Sequence, residues 1–416
     1  MITSGEGVPT GGTAIEVAFF TESYLPTRDG VAHEVSALAR ALTRLGHRVR
    51  VYAPNPVVGA PPEHTIVDGV PVLRVRSLPV PMYGEYRWAL WPFPALRGER
   101  IAEDVDVIHL HTPGILGSAA FLSARRWNKP LVGTFHTNVW EMRNSFPPSL
   151  PVRLFFRAAW WYTLGTYWRC DAVTAPTEPA REALVRSARK PFARPVEVVP
   201  NGIEVDRFRP GVATPDWRAR CGLAAGPLLT FLGRLTQDKG VHRFLDAVAA
   251  IGDRTDVTAI VGGVGPEEPN VRRRIDDDPR LRGRVRYVGP VAEEEKAALL
   301  AQTDLFVLPS TSDTSSIALL EAMACGAACV ASDRGGPSEI VQDGRTGRLV
   351  PVLSEGALAR SLRELLDDDA ERHRLATAGR AWVVATASID RTARRFISLY
   401  ELLLAERGHG ATGDAP

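Results

Sequence analysis

The chain has 416 residues, 45% of them hydrophobic and 24% charged, and its 50 basic and 48 acidic side chains leave a net charge of +2. That length is too great for one ordinary core and predicts two or three domains, while the near-neutral balance, without a long basic run, excludes a dedicated nucleic-acid binder. Cys170, Cys221, Cys325 and Cys329 form no CxxC pair, which excludes a zinc ribbon or a disulfide framework; they read as small buried residues in a reducing cytosol.

Residues 1–14 are Gly/Thr-rich and lack a basic start or an apolar h-region, so a frayed tail is expected rather than a signal peptide. No uninterrupted apolar run reaches the ~18 residues of a membrane span. Ile15–Phe20 is an apolar strand, followed by the loop TESYLPTRDG. Val31, Val35, Leu38, Leu42 and Leu45 then recur at the helical period, and Gly46 is placed to cap them. Arg48–Ala53 and Val70–Val75 read as strands, with PPEHTIVDG between them as a turn. The run MYGEYRWALWPFP (Met82–Pro94) is expected to be an acceptor-side loop with aromatic stacking surfaces. Val105–Leu110 reads as a buried strand, Leu116–Arg126 as a helix, and Leu131–Thr134, Ala172–Ala175 and Glu197–Val199 as strands. Pro151–Arg169 is a helix apolar nearly all round, carrying Phe155, Phe156, Trp160, Trp161, Tyr162 and Trp168 beside Arg153 and Arg157. Such a helix is expected in the core. The alternative is an interfacial helix with its arginines near lipid headgroups.

Val199–Pro215 gathers turn residues and three prolines without apolar periodicity, and marks a boundary. The βα pattern then restarts, with strands at Leu229–Leu232, Val257–Val261, Val285–Val288, Leu305–Leu308, Ala328–Ala331 and Gly347–Val350. The tail, Ser354–Glu406, is helical, with a charged turn between ALARSLRELL and RTARRFISLYELLLAER. The expected division is a tail over 1–14, an N-terminal domain over 15–199 joined by a C-terminal helix over 390–407, a linker over 200–215 and a second domain over 216–389. Apolar strands alternating with helices imply parallel sheets covered on both faces. The fold class is therefore α/β, with two doubly wound Rossmann-like domains. Ligands of such sheets bind outside the carboxyl ends of the strands, so the cleft between the domains is the natural site.

Two segments carry the chemistry. In LGRLTQDKG (Leu232–Gly240), a strand–loop–helix unit sets Arg234 and Lys239 at the mouth of a crevice, and two cations on one loop suit a diphosphate. Lys239 is one of only four lysines, with Lys129, Lys190 and Lys296. In PSTSDTSSIALLEAMACG (Pro309–Gly326), Asp313 sits in the loop before a helix and Glu321 about two turns further on. The free amides of Ser315, Ser316 and Ile317 and the helix dipole favour an anion there; plain N-capping by Asp313 or a serine is the alternative.

With FFTESYLPTRDGV, HLHTP, TFHTN, DAVTAPT, VVPNGIEVDRF, LGRLTQDKG, VRYVGPV and SDRGGPSEIVQDGRTGRLV in this order, the chain resembles the retaining GT-B glycosyltransferases of glycosyltransferase family 4 from about Val17 to Leu403. Its pattern is nearest to the group that adds mannose or glucose to lipid acceptors. The resemblance implies that Arg234 and Lys239, beside Gly233, clamp the diphosphate of a UDP or GDP sugar. By the same resemblance Glu321 accepts from the ribose hydroxyls, Asp313 and His136 meet the donor sugar, and Ser315, Ser316, Ile317 and Ala318 form the helix start at the phosphates. Gly289 to Val291 would line the base pocket, and Gly30 would let the backbone approach the phosphate side. His109 and His111 flank the neighbouring strand end. Ser315–Ser316 stand where the family has an aromatic–Gly pair, and VGGVGPEE where GDGPE is usual.

The resemblance further implies a hexose moved to a hydroxyl acceptor, lipid-linked or small-molecule, with an α product by front-face substitution. The nucleotide sugar is a substrate, and no cofactor or metal is expected. Asp104–Val105–Asp106 has DxD form but precedes a strand, where a solvated or capping role is expected. The expected location is the cytoplasm, with peripheral membrane contact through the N-terminal domain left open. A dinucleotide oxidoreductase is disfavoured because TESYLPTRDG is not GxGxxG. A sugar-nucleotide epimerase of the same architecture and a non-catalytic nucleotide-sugar-binding paralogue remain as alternatives.

Overall fold

The computed structural model describes residues 13–410, apart from 28, 81–82, 91–103, 137, 140–148, 213, 255 and 355. The first unit contains β1 (Glu16–Phe20), α1 (Gly30–Arg44), β2 (Arg48–Pro54), β3 (Glu63–Val67), β4 (Val70–Val75), β5 (Ser77–Val80), β6 (Tyr83–Ala89), β7 (Val107–Leu110), α2 (Ile115–Trp127), β8 (Leu131–Thr134), α3 (Leu150–Tyr167), β9 (Ala172–Ala175), α4 (Glu178–Ser187) and β10 (Glu197–Val198). Eight strands form one sheet in the order β10-β9-β8-β7-β1-β2-β4-β3, and β5 and β6 pair separately. β1 lies between β2 and β7, parallel to both. The strand order reverses there, so the loops leaving β1 and β7 open a crevice.

Three sequence expectations fail in this unit. PPEHTIVDG is not a turn, because Glu63–Val67 is an antiparallel edge strand on β4. Only Asp68 and Gly69 turn, at φ of 51° and 80°, as a two-residue hairpin requires. The expected acceptor-side loop is partly a strand, since β6 pairs antiparallel with β5; Met82 and residues 91–94 lie outside the described residues. Helix α3 is not buried all round. Trp160, Leu164 and Tyr167 pack in the core with the sheet strands and Phe156 is buried beside them, while Leu154 and Phe155 are each 56% exposed.

The second unit contains α5 (Trp217–Cys221), β11 (Leu228–Leu232), α6 (Val241–Ala250), β12 (Thr258–Gly262), α7 (Glu268–Asp277), β13 (Val285–Gly289), α8 (Glu293–Ala301), β14 (Leu305–Leu308), α9 (Ile317–Ala324), β15 (Ala328–Ser332), α10 (Pro337–Ile340), β16 (Arg348–Val350), α11 (Ala357–Asp367) and α12 (Asp369–Thr386). Its sheet runs β13-β12-β11-β14-β15-β16, with every pairing parallel. The order reverses between β11 and β14, where Leu229 lies opposite Leu305. The loops bearing Lys239 and Asp313 therefore leave neighbouring strands at the same edge. The charged turn expected in the tail is helix α12, whose buried face is Leu375, Ala376, Gly379 and Val383.

The last helix, α13 (Ile389–Gly410), returns to the first unit. Phe396, Leu399, Tyr400 and Leu403 share a core with Val17 and Phe19 of β1 and with Val35, Leu38 and Leu42 of α1. Each such buried side chain is worth roughly 1.5–3 kcal/mol. The chain thus passes between the units twice, side by side. Ile203 N donates to Ala387 O at 2.8 Å and Ile389 N to Ile203 O at 2.9 Å. A Cβ on Gly202 would meet the Ile389 Cα at 2.6 Å, so only glycine fits this crossing.

Candidate functional site

After β11 the chain runs through Gly233 and the half-buried Arg234 into a single 3-10 turn, Gln237–Lys239. Gly240 ends the turn at φ 77°, where a Cβ would stand 2.2 Å from Pro309 O. Glycine therefore lets this loop lie against the end of β14, and Thr311 N donates to Asp238 O at 2.7 Å across the contact. The packing brings Lys239 Nζ within 2.7 Å of Asp313 Oδ2, with the two side chains only 16% and 8% exposed. An ammonium has three protons, so this bond leaves two for another acceptor. Asp313 does not cap α9. Ser316 does, its Oγ accepting from Leu319 N at 3.3 Å. Ile317 and Ala318 form the first turn of α9, where amides lack intrahelical acceptors and the helix dipole is positive.

The other wall comes from the first unit. Gly30 is the first residue of α1, capped by Asp29, whose Oδ1 accepts from Ala32 N at 2.9 Å. A Cβ on Gly30 would lie 3.5 Å from Ile317 Cγ1, so the positive ends of α1 and α9 meet across the cleft. Thr314 is bonded to that wall twice. Its Oγ1 donates to His136 O at 2.7 Å, and its carbonyl accepts from Thr177 Oγ1 at 2.7 Å. Glu339 at α10 accepts from the backbone amide of Glu178 at the start of α4.

His136 is 7% exposed. Its Nε2 bonds His111 Nδ1 at 3.1 Å, and its Nδ1 is 3.1 Å from Glu34 Oε2, in ion-pair range. The wall position held by His136 thus meets Thr314 through its carbonyl, while the ring faces inward. His109 is a core histidine, bonded to Tyr400 Oη and Thr134 Oγ1, each at 2.7 Å. Burial, and then neighbouring imidazole charge, hold His109 and His111 well below the ordinary histidine range.

At the far end of the cleft lies a chain of charges. Glu321 is 2% exposed, and its Oε1 is 3.0 Å from Lys296 Nζ. Lys296 is also 2.8 Å from Glu293 Oε2, which stands 3.1 Å from His33 Nε2 on α1. Gly289, at φ 72°, has open space where a Cβ would stand, and Val291 packs against the end of β12 at Gly262. Sequence reasoning missed Thr314, Thr177, His33 and Lys296 as parts of this wall. Only Lys296 carried a signal, its rarity.

Asp106 of the DVD run accepts from Glu16 N at 2.7 Å, a capping role, and Asp104 is exposed. Among the described residues no three His, Cys, Asp or Glu side chains are grouped to hold a metal, and no helix is long and apolar enough to cross a membrane.

Residues 28–207 match the profile of Glycosyltransferase Family 4, and residues 226–368 that of Glycosyl transferases group 1. A GDP-mannose-dependent alpha-mannosyltransferase of Mycolicibacterium smegmatis is 32% identical over 372 residues, covering 89% of this chain and 93% of its own. A phosphatidyl-myo-inositol mannosyltransferase of Mycobacterium tuberculosis is 29% identical over 390 residues, covering 87% and 92%. A sucrose-phosphate synthase structure from Thermosynechococcus elongatus superposes with a TM-score of 0.74 at 22% identity, over 94% of this chain and 100% of that one. With both halves matched in order and the two sheets facing one cleft, the chain is a hexosyltransferase and belongs to glycosyltransferase family 4, in the GT-B fold.

Proposed function

We propose that the protein transfers mannose from GDP-mannose to a hydroxyl acceptor, with retention and without a metal. One observation carries this reading: the first turns of α1 and α9 meet at Gly30 and Ile317, and the loop leading into α9 is tied through Asp313 to Lys239, whose own loop also bears Arg234. Two helix N-termini and two cations suit a leaving diphosphate, whose negative charge grows as the glycosidic bond breaks. Glu321 then holds the ribose and Asp313 the sugar hydroxyls. In the step itself, the acceptor oxygen bonds to the anomeric carbon on the face the diphosphate leaves. The bond from that carbon to the β-phosphate oxygen breaks, and the acceptor proton passes to the departing phosphate. The guanine and mannose assignments rest on the mannosyltransferase relatives.

A lipid acceptor or an anionic bilayer suits the outer face of α3, where exposed Leu150, Leu154 and Phe155 lie beside exposed Arg153 and Arg157. The test is a panel of GDP-, UDP- and dTDP-sugars, read by melting temperature and by nucleoside diphosphate release with soluble and lipid hydroxyl acceptors, each with and without chelator. GDP-mannose is expected to raise the melting temperature most and to give an α-mannoside by NMR, unaffected by chelator. No stabilisation by any sugar nucleotide and no release would refute the reading. Loss of turnover in chelator, restored by magnesium, would refute its metal-free part, and failure to sediment with anionic liposomes at low salt its membrane part.

A further inference from the structure

Lys296 on α8 is flanked by two carboxylates, Glu321 at 3.0 Å and Glu293 at 2.8 Å. With His33 of α1 at 3.1 Å from Glu293, charges of alternating sign run from the first unit to α9. The chain ends on a nearly buried carboxylate. Glu321 Oε1 is held by Lys296, whereas Oε2 is buried and has no hydrogen-bond partner among the described residues. A buried acceptor of that kind calls for a partner. Glu321 lies four residues beyond Ile317, on the face of α9 that meets Gly30. Burial pushes the Glu321 carboxyl up, and the charge of Lys296 opposes this.

We infer that Lys296 is a positioning residue for nucleotide recognition: by occupying Oε1 of Glu321 it keeps Oε2 as a fixed acceptor for a ribose hydroxyl of the nucleoside diphosphate. This rests on the reading of Glu321 as the ribose acceptor. Lys296 touches no ligand itself and acts through Glu321. Glu293 and His33 hold its other side, so the ribose acceptor is braced against the first unit.

The test is calorimetric titration of the full chain, wild type against Lys296→Met and Lys296→Arg, with GDP and UDP and with their 2′-deoxy and 3′-deoxy counterparts. Wild type should prefer the ribose form over one deoxy form by about tenfold or more. Lys296→Met should weaken the ribose form by about tenfold and shrink the preference to about twofold or less, and Lys296→Arg should restore part of both. Should the Met variant lose cooperative unfolding, Lys296→Gln carries the same comparison. A variant that loses ribose and deoxyribose forms equally, keeping the preference, has lost packing only and overturns the inference. Unchanged or tighter binding overturns it too, as does a wild type that binds GDP or UDP without any ribose preference. A wild type that binds neither nucleotide overturns the proposed function and this inference together.

Discussion

Lys239 and Asp313 are bonded at 2.7 Å and nearly enclosed, so each is the other's counter-charge. On the proposed reading, Lys239→Ala removes a donor to the diphosphate, and it leaves Asp313 without its cation. The expected cost is roughly 1.5–3 kcal/mol in donor binding, read as a fall in kcat/KM for the sugar nucleotide together with a lower melting temperature. Unchanged kinetics in the folded variant would remove Lys239 from the site. The pair shows what single residues disclose in advance. Both stood out in the sequence as site candidates, but their contact did not, because it depends on Gly240 letting one loop lie on the end of β14. Glu22 of the FTESYLP motif is similar. It is recognisable by pattern, yet its work is structural: Oε1 accepts from Leu116 N at 2.8 Å and Oε2 from Ala89 N at 3.0 Å. Burial raises this carboxyl, and the backbone donors oppose the rise.

Among the elements, the loop between β14 and α9 is bonded to the first unit twice. Thr314 donates to His136 and accepts from Thr177, one residue from Asp313. Thr314→Val keeps the shape and removes the donor to His136 O, an interaction worth roughly 0.5–1.5 kcal/mol. Turnover is expected to fall by several-fold up to about tenfold, with donor affinity nearly kept, by steady-state kinetics. An equal loss in a donor-binding titration would show that the bond serves the loop alone. Strands of the parallel sheets were legible to within a residue or two because buried strands read as unbroken apolar runs. The edge strand β3 was not, since its side chains are exposed or half-buried, and only Asp68–Gly69 announced the hairpin. Helix α12 was hidden because alanine and glycine make up half of its buried face. Gly379 in particular brings α12 so close that a Cβ would meet Thr346 O at 2.8 Å.

At the scale of the whole molecule, the order of motifs announced two facing sheets, but no periodicity reports which side chains meet between them. The pair of His33 and Glu293 is one such meeting, and it titrates. Burial works against protonated His33, but the hydrogen bond and charge of Glu293 outweigh it and hold the imidazole pKa above its ordinary 6.5. Glu293 is itself held below the carboxylate range, because His33 and Lys296 outweigh its burial. A raised histidine pKa contributes stability that is complete below the unfolded value and is lost as pH rises through the folded one. His33→Asn is therefore expected to lower the melting temperature by about 2–4 °C per kcal/mol lost at about pH 6, with the gap to wild type closing as the pH rises through the raised folded pKa. A gap independent of pH would show that the contact stabilises by packing and not by charge.

The paired crossing at Ile203 and Ile389 bears on how the protein is made. The last strand of the first unit ends at Val198, yet the helix that covers one flank of its sheet begins at Ile389. During synthesis from the amino terminus, that flank stays bare until the whole second unit has left the ribosome. The half made first is thus the half completed last, and its apolar surface is open to aggregation for that interval.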